Sequence, residues 1–186
     1  GQRLAMIGCG FMGLMMLQGL AGMGAEQIIA LDVDDRRLEL ARQLGATEAH
    51  NVTAVGFANV RDNVREELRA REVDIVVDTS GAQAGLDLAA DLVRRAGRIN
   101  LFGWIKGQEA HFNPSVWHIK GLTVVNSAPA AQLRDPFPPA IRLLQRGVID
   151  LRPLVTHKIP LAEYPQFMQR VASAEVEGYI KGVVLL

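Results

Sequence analysis

One glycine-spaced turn and one carboxylate downstream of it are the residues whose types and spacing could do chemistry in this sequence. The short apolar run Leu4-Ala5-Met6-Ile7 ends at Gly8-Cys9-Gly10-Phe11-Met12-Gly13, and a helical pattern rich in Leu, Met and Ala then runs from Phe11 to Met23. That pattern stops at Gly22 and Gly24, and a second apolar run, Ile28-Ile29-Ala30-Leu31, has Asp32 at its end. Strand, Gly-x-Gly-x-x-Gly, helix, strand, acid is the order in which a backbone receives a dinucleotide. Gly8 permits the sharp turn out of the strand, Gly10 lets the backbone approach a pyrophosphate, and Gly13 lets the helix pack tightly on the sheet. The free N–H groups near Phe11 and Met12, with the positive end of the helix dipole, then face the phosphates. Asp32 lies about twenty residues beyond Gly13, where a carboxylate can accept from ribose hydroxyls and would disfavour a 2′-phosphate, so NAD is expected over NADP.

The other reactive side chains are less organised. Cys9 occupies a variable slot of the turn with no histidine near it in sequence, which fits a small buried thiol better than a nucleophile. His50, His111, His118 and His157 are scattered and make no two-ligand metal spacing. Glu66 and Glu67 sit in a charged helical stretch and read as a solvated face. Arg36 and Arg37 open a helix beside Asp32, and Lys181 lies in an apolar strand, where its ammonium must reach solvent or an anion.

These residues need a scaffold, and the rest of the sequence supplies one. A helix capped by Asp34 or Asp35 runs to about Leu44, Gly45 ends it, and Ala46 to Val52 is a weak third strand. Val60 to Ala70 reads as an amphipathic helix, and Val73 to Val77 as a strand ending in Asp78-Thr79-Ser80-Gly81. Ala84 to Val93 reads as a helix stopped by Gly97, and Arg98 to Phe102 as a strand closed by Gly103. A short turn near Pro114 to Lys120 leads to a sixth strand at Leu122 to Asn126. Pro136, Pro138 and Pro139 start a helix from about Ala140 to Arg146. Six strands alternating with helices predict an α/β fold, a doubly wound parallel sheet of order 3-2-1-4-5-6. After about Asp150 the alternation stops. Val155 to Ile159 and Gly178 to Leu186 read as strands around a helix from Leu161 to Ala172, a tail that needs another surface to cover it.

Composition bounds the partners. The chain has 186 residues, with 20 basic and 20 acidic side chains, so no excess of charge points to nucleic acid or an anionic membrane. The one charge-free run that exceeds the roughly 18 residues needed to span a bilayer, Leu4 to Ala25, is split by its glycine turn into a short strand and a short helix, so no single apolar element of that length is expected. A single cysteine rules out an internal disulfide and fits a reducing compartment, hence a cytoplasmic location. The sequence opens at Gly1-Gln2, one step before its first strand and without an initiator Met, and reads as the interior of a longer protein.

With these segments placed, the chain resembles the cofactor half of the medium-chain dehydrogenase/reductase family, zinc alcohol dehydrogenase type. Its details are similar to the polyol and threonine dehydrogenase branch. The resemblance covers nearly the whole chain. It rests on the glycine turn, Asp32, Leu44-Gly45-Ala46-Thr47 and Val73-Asp74-Ile75-Val76-Val77-Asp78, then on Gly97 to Gly103 and the closing Gly178 to Leu185. The resemblance implies NAD as cofactor, held at the pyrophosphate by the backbone of Phe11 and Met12 and at the adenosine ribose by Asp32, with Arg37 beside it. It implies that Thr79 and Ser80, Phe102 and Gly103, and Asn126 and Ser127 line the nicotinamide side, and that Lys181 reaches back to the phosphates. It further implies residues 1–152 as the NAD-binding domain, and residues 153–186 as a returning segment of a catalytic domain that mostly precedes Gly1. Zinc and its ligands would belong to that preceding half, and a homodimer would form through the edge strand Leu122 to Asn126.

The leading reading is therefore the NAD-binding portion of a dehydrogenase acting on a secondary alcohol or polyol, inactive alone because the catalytic residues lie elsewhere. A non-catalytic nicotinamide-sensing module is the alternative from another class, although the tail would have no use there. An S-adenosylmethionine methyltransferase also pairs a glycine loop with an acid, but the third glycine, Gly13, and the lack of a closing antiparallel hairpin count against it.

Overall fold

The structure is a computed structural model that describes residues 1–55, 72–103, 109–127 and 135–186. The charged stretch Val60 to Ala70, with Glu66 and Glu67, lies outside the described residues.

Six strands form one parallel sheet in the order β3-β2-β1-β4-β5-β6. They are β1 (Arg3–Ile7), β2 (Gln27–Asp32), β3 (Glu48–Asn51), β4 (Val73–Asp78), β5 (Val93–Leu101) and β6 (Thr123–Asn126). The expected topology is observed. The apolar runs of β1 and β2 are continuous because both faces of the central strands are covered. Ala5, Ile7, Ile29 and Leu31 pack on one face with Leu88 and Leu92 of α4, while Leu4, Met6, Ile28 and Ala30 pack on the other with Leu14 and Leu17 of α1. Here α1 is Phe11–Gly22, α2 Asp35–Gln43, α3 Val52–Val55, α4 Gln83–Leu92, α5 Pro114–Lys120 and α6 Phe137–Gln145.

Three local expectations are corrected. The third strand is only Glu48–Asn51, and Val52 already begins α3. The fourth helix passes straight into β5 at Val93 without using Gly97 as a stop. Its last carbonyls are met instead by Lys120, whose Nζ donates to Ala90, Asp91 and Val93 oxygens at 2.8, 3.1 and 2.7 Å. The turn at Pro114 to Lys120 is a true helix, N-capped by Asn113 and closed by Gly121 in the left-handed conformation.

The tail begins with a 3-10 turn, Arg152–Leu154, and continues as β7 (Val155–Pro160), a 3-10 turn at Leu161–Glu163, α7 (Tyr164–Ala172) and β8 (Lys181–Leu185). β7 and β8 pair in a separate two-stranded parallel sheet. Two contacts fix where the tail leaves the large sheet. The buried Gln18 of α1 donates from Nε2 to the Asp150 carbonyl at 3.1 Å and accepts from the Asp150 N–H at 2.7 Å. Leu154 is fully buried in the same apolar cluster as Leu14 and Leu17 of α1 and Leu38 and Ala41 of α2, a burial that stabilises by about 1.5–3 kcal/mol.

Candidate functional site

The candidate site lies at the carboxyl ends of β1, β2 and β4, where the strand order reverses between β1 and β4. Each glycine of the turn has its own physical reason. Gly8 adopts φ +90°, and a Cβ there would stand 2.9 Å from both the Ser80 nitrogen and Thr79 Oγ1. At Gly13 a Cβ would run into the Gly8 carbonyl oxygen and come within 2.8 Å of Thr79 Oγ1. Gly10 differs, with φ −72° and nothing within 4 Å of an added Cβ. The fold itself does not demand glycine at that position, and the open space is the cradle a closely approaching ligand would use.

Gly10 is also the N-cap of α1 and offers no side-chain acceptor. By contrast, Asp34 caps α2, accepting from the N–H groups of Arg36 and Arg37, and Asn113 caps α5. The first N–H groups of α1 therefore keep no side-chain partner at the positive end of the helix, the arrangement that suits a phosphate.

Asp32 is buried at the end of β2, 6 % exposed. Its Oδ2 accepts from the Cys9 N–H at 2.5 Å, and its Oδ1 accepts from the N–H groups of Val33 and Asp34 at 2.8 and 3.0 Å. Arg37 Nη1 stands 3.9 Å from Oδ1. A carboxylate has about four acceptor positions. Three backbone donors orient it and leave one position on Oδ2 for a hydroxyl.

The loop after β4 braces this turn. The Thr79 hydroxyl donates to the Gly8 carbonyl at 2.6 Å, so it is committed to the protein. The Ser80 hydroxyl donates to Oδ1 of the fully buried Asp78 at 2.6 Å. Asp78 was not singled out from sequence, although it ends β4 as Asp32 ends β2. The Phe102 and Gly103 N–H groups both donate to the Asp78 carbonyl, at 2.9 and 3.0 Å.

A cleft of about 340 Å³ gathers Gly8, Gly10, Asp32, Arg37, Thr79 and Ser80. Its apolar wall includes Val52, Ala84 and Leu88, which no sequence signal separates from ordinary core. Phe102, Gly103, Asn126 and Ser127 lie outside this cleft, along the ends of β5 and β6. Ser127 donates from Oγ to Asn100 Oδ1 at 2.8 Å, and Asn126 is paired in register with Leu101. Lys181 comes from the tail and sets its Nζ 4.9 Å from the centroid of the Phe11 ring, a cation–π approach at the start of α1. Met12, beside Phe11, is 37 % exposed.

Cys9 is fully buried. Burial and the nearby Asp32 charge push its thiol up to about 12, which leaves no thiolate for nucleophilic work at neutral pH. Among the described residues no three His, Cys, Asp or Glu side chains group as metal ligands, so these residues do not fit a zinc site. No described helix is long and apolar enough to cross a membrane.

The sequence profile of the zinc-binding dehydrogenase family matches residues 12–146. An L-threonine 3-dehydrogenase of Caldanaerobacter subterraneus subsp. tengcongensis is 29% identical over 186 residues, covering 100% of this chain and 51% of that protein. An uncharacterized zinc-type alcohol dehydrogenase-like protein of Escherichia coli K12 is 28% identical, covering 99% of this chain and 50% of its own. Among solved structures, an alcohol dehydrogenase from Thermus sp. ATN1 superposes with a TM-score of 0.86 at 28% identity, over 100% of this chain and 51% of that one. The chain spans about half the length of the relatives it matches.

Proposed function

The chain belongs to the zinc-binding dehydrogenase family, and on that premise we propose that it is the NAD-binding portion of an enzyme moving hydride between NAD and a secondary alcohol or polyol. One observation carries this reading. An uncapped helix start, a glycine facing open space and a buried, backbone-oriented carboxylate meet at one cleft. The N–H groups at Phe11 and Met12 hold the pyrophosphate, and Asp32 accepts from the adenosine ribose with Arg37 at its flank. Thr79 secures the glycine turn, while Ser80, Phe102, Gly103, Asn126 and Ser127 form the nicotinamide side. Lys181, beside the Phe11 ring at the start of α1, would reach the phosphates. The bound nicotinamide would supply the hydride acceptor. The names of the relatives, threonine and alcohol dehydrogenases, support the substrate class, and a cytoplasmic location suits it.

Residues 1–152 form the nucleotide domain in this reading, and residues 153–186 a returning piece of the catalytic domain. The separate β7–β8 sheet supports that division. Zinc would be held by the parent enzyme outside the residues described here. Fluorescence titration is the direct test: NADH is expected to bind and S-adenosylmethionine to be ignored. The reverse preference would overturn the reading in favour of a methyltransferase.

A homodimer through β6 follows from the same reading. Among the described residues this strand ends the sheet, and three of its four residues are exposed, Val125 at 42%. An unpaired edge of this kind invites a second strand. Sedimentation at micromolar concentration should show a dimer, and Val125→Lys should shift it towards monomer. A monomer in the unmodified chain would refute the pairing.

A further inference from the structure

The start of α2 presents two guanidinium groups, Arg36 and Arg37, immediately after the strand that ends in Asp32. Free guanidinium groups at this place would suit a phosphate, because their planar donors match its oxygens two at a time. Here both are engaged by acids. Arg37 stands 3.9 Å from Asp32 Oδ1 and 3.9 Å from Asp34 Oδ2. Arg36 is ion-paired with Glu177, a residue 141 positions later in the tail. The chain turns there at Gly178 with φ +68°, close enough that a Cβ would lie 3.4 Å from Arg36 Nη1. Asp34, Asp35, Arg36 and Glu177 line a cleft of about 270 Å³ beside the Asp32 site.

We propose that Glu177 is a specificity-determining residue that acts through Arg36 to disfavour a 2′-phosphorylated dinucleotide. The inference rests on the dinucleotide reading above and adds a determinant from outside the nucleotide domain. Asp32, Asp34, Asp35 and Glu177 set four carboxylates against two guanidinium groups, so a 2′-phosphate entering this corner meets net negative charge. Removing Glu177 leaves Arg36 free to turn towards that phosphate. The pair is well solvated, with Arg36 and Glu177 side chains 60% and 80% exposed. Such pairs add little to stability, so the substitution should leave the fold intact. Solvation also bounds the effect, because charges separated by water act through a screened field.

The test titrates the purified 186-residue chain and its variants with NADH and NADPH, at about 0.05 M and about 0.5 M salt. Glu177→Gln should tighten NADPH about two- to fivefold while NADH changes less than about twofold. Glu177→Lys, which reverses the charge, should tighten NADPH by about five- to twentyfold. Both gains should shrink at the higher salt, and adding Arg36→Gln should cancel the gain of Glu177→Gln. An unchanged NADPH-to-NADH ratio in both Glu177 variants, with NADH binding intact, would overturn the proposal and leave Glu177 a strut for the tail. A gain that persists without Arg36 would overturn it as well. Failure of the unmodified chain to bind NADH would instead remove the dinucleotide reading, and this inference with it.

Discussion

Asp32→Ala is expected to weaken NADH binding about ten- to hundredfold, equivalent to ~1.5–3 kcal/mol for a lost hydrogen bond to a charged acceptor. NADPH should lose far less, because the same change removes the charge that repels a 2′-phosphate. The geometry sharpens the expectation. Oδ2 already accepts from the Cys9 N–H at 2.5 Å and has one acceptor position left, so a ribose hydroxyl placed there would be held against the glycine turn itself. The alanine variant also strips partners from the Cys9, Val33 and Asp34 N–H groups, and some loss of stability accompanies it. The NADH-to-NADPH ratio separates the two effects, since both ligands report on the same folded population. Asp32→Asn is the control of matched shape: its amide must turn an N–H group towards at least one of those backbone donors, so the ratio should fall there too. Equal affinity for the two dinucleotides in the unmodified chain would remove the assignment, and so would a ratio that neither variant changes.

What could be read from sequence divides along a physical line. Gly8, Gly13 and Asp32 were legible because the constraints on them are local: a left-handed φ, a helix start packed on a carbonyl, an acid at a strand end. β1 and β2 were legible because burial on both faces writes an unbroken apolar run. The start of β5 was not, because the fourth helix passes straight into it at Val93 with its last carbonyls met by Lys120 from some thirty residues away, and no local stop marks the place. The helix at Pro114–Lys120 carried its cap, its proline and its closing glycine in plain sight. It buries no side chain, though, so no apolar period announced it. At the site, the direction of the Thr79 hydroxyl and the pairing of Arg36 with Glu177 are tertiary facts. A sequence names the donors and acceptors, but long-range packing decides which of them are already spent.

The isolated chain is expected to bind NADH and yet to oxidise no alcohol and to hold no stoichiometric zinc. Oxidising an alcohol requires that a proton leave the hydroxyl as hydride leaves the carbon, and so a positioned base or an electrophile on the oxygen. The only cysteine and all four histidines of the sequence lie among the described residues, and none is positioned for that work. The Cys9 thiol is buried and pushed up to about 12. His50 sits on β3 with its Nε2 3.6 Å from Glu48 Oε2. His111 precedes α5 and His118 lies within it, both exposed. His157 is on β7, beside Thr156 Oγ1 at 2.9 Å and among the rings of Phe167 and Tyr179. They lie at the glycine turn, on β3, around α5 and on β7, and among the described residues no three such ligands group together, whereas a shared metal or a proton relay needs its groups within a few ångströms of one another. The relatives are about twice as long, and in the reading proposed here the activating groups belong to the remainder of the parent enzyme. Purified chain should be assayed with NAD against a panel of secondary alcohols and polyols, alongside metal analysis and an NADH titration. Binding without turnover is the expected result, and a full-length parent should show both. Zinc at about one per chain, or steady NADH production by the chain alone, would show that these 186 residues contain a complete site after all.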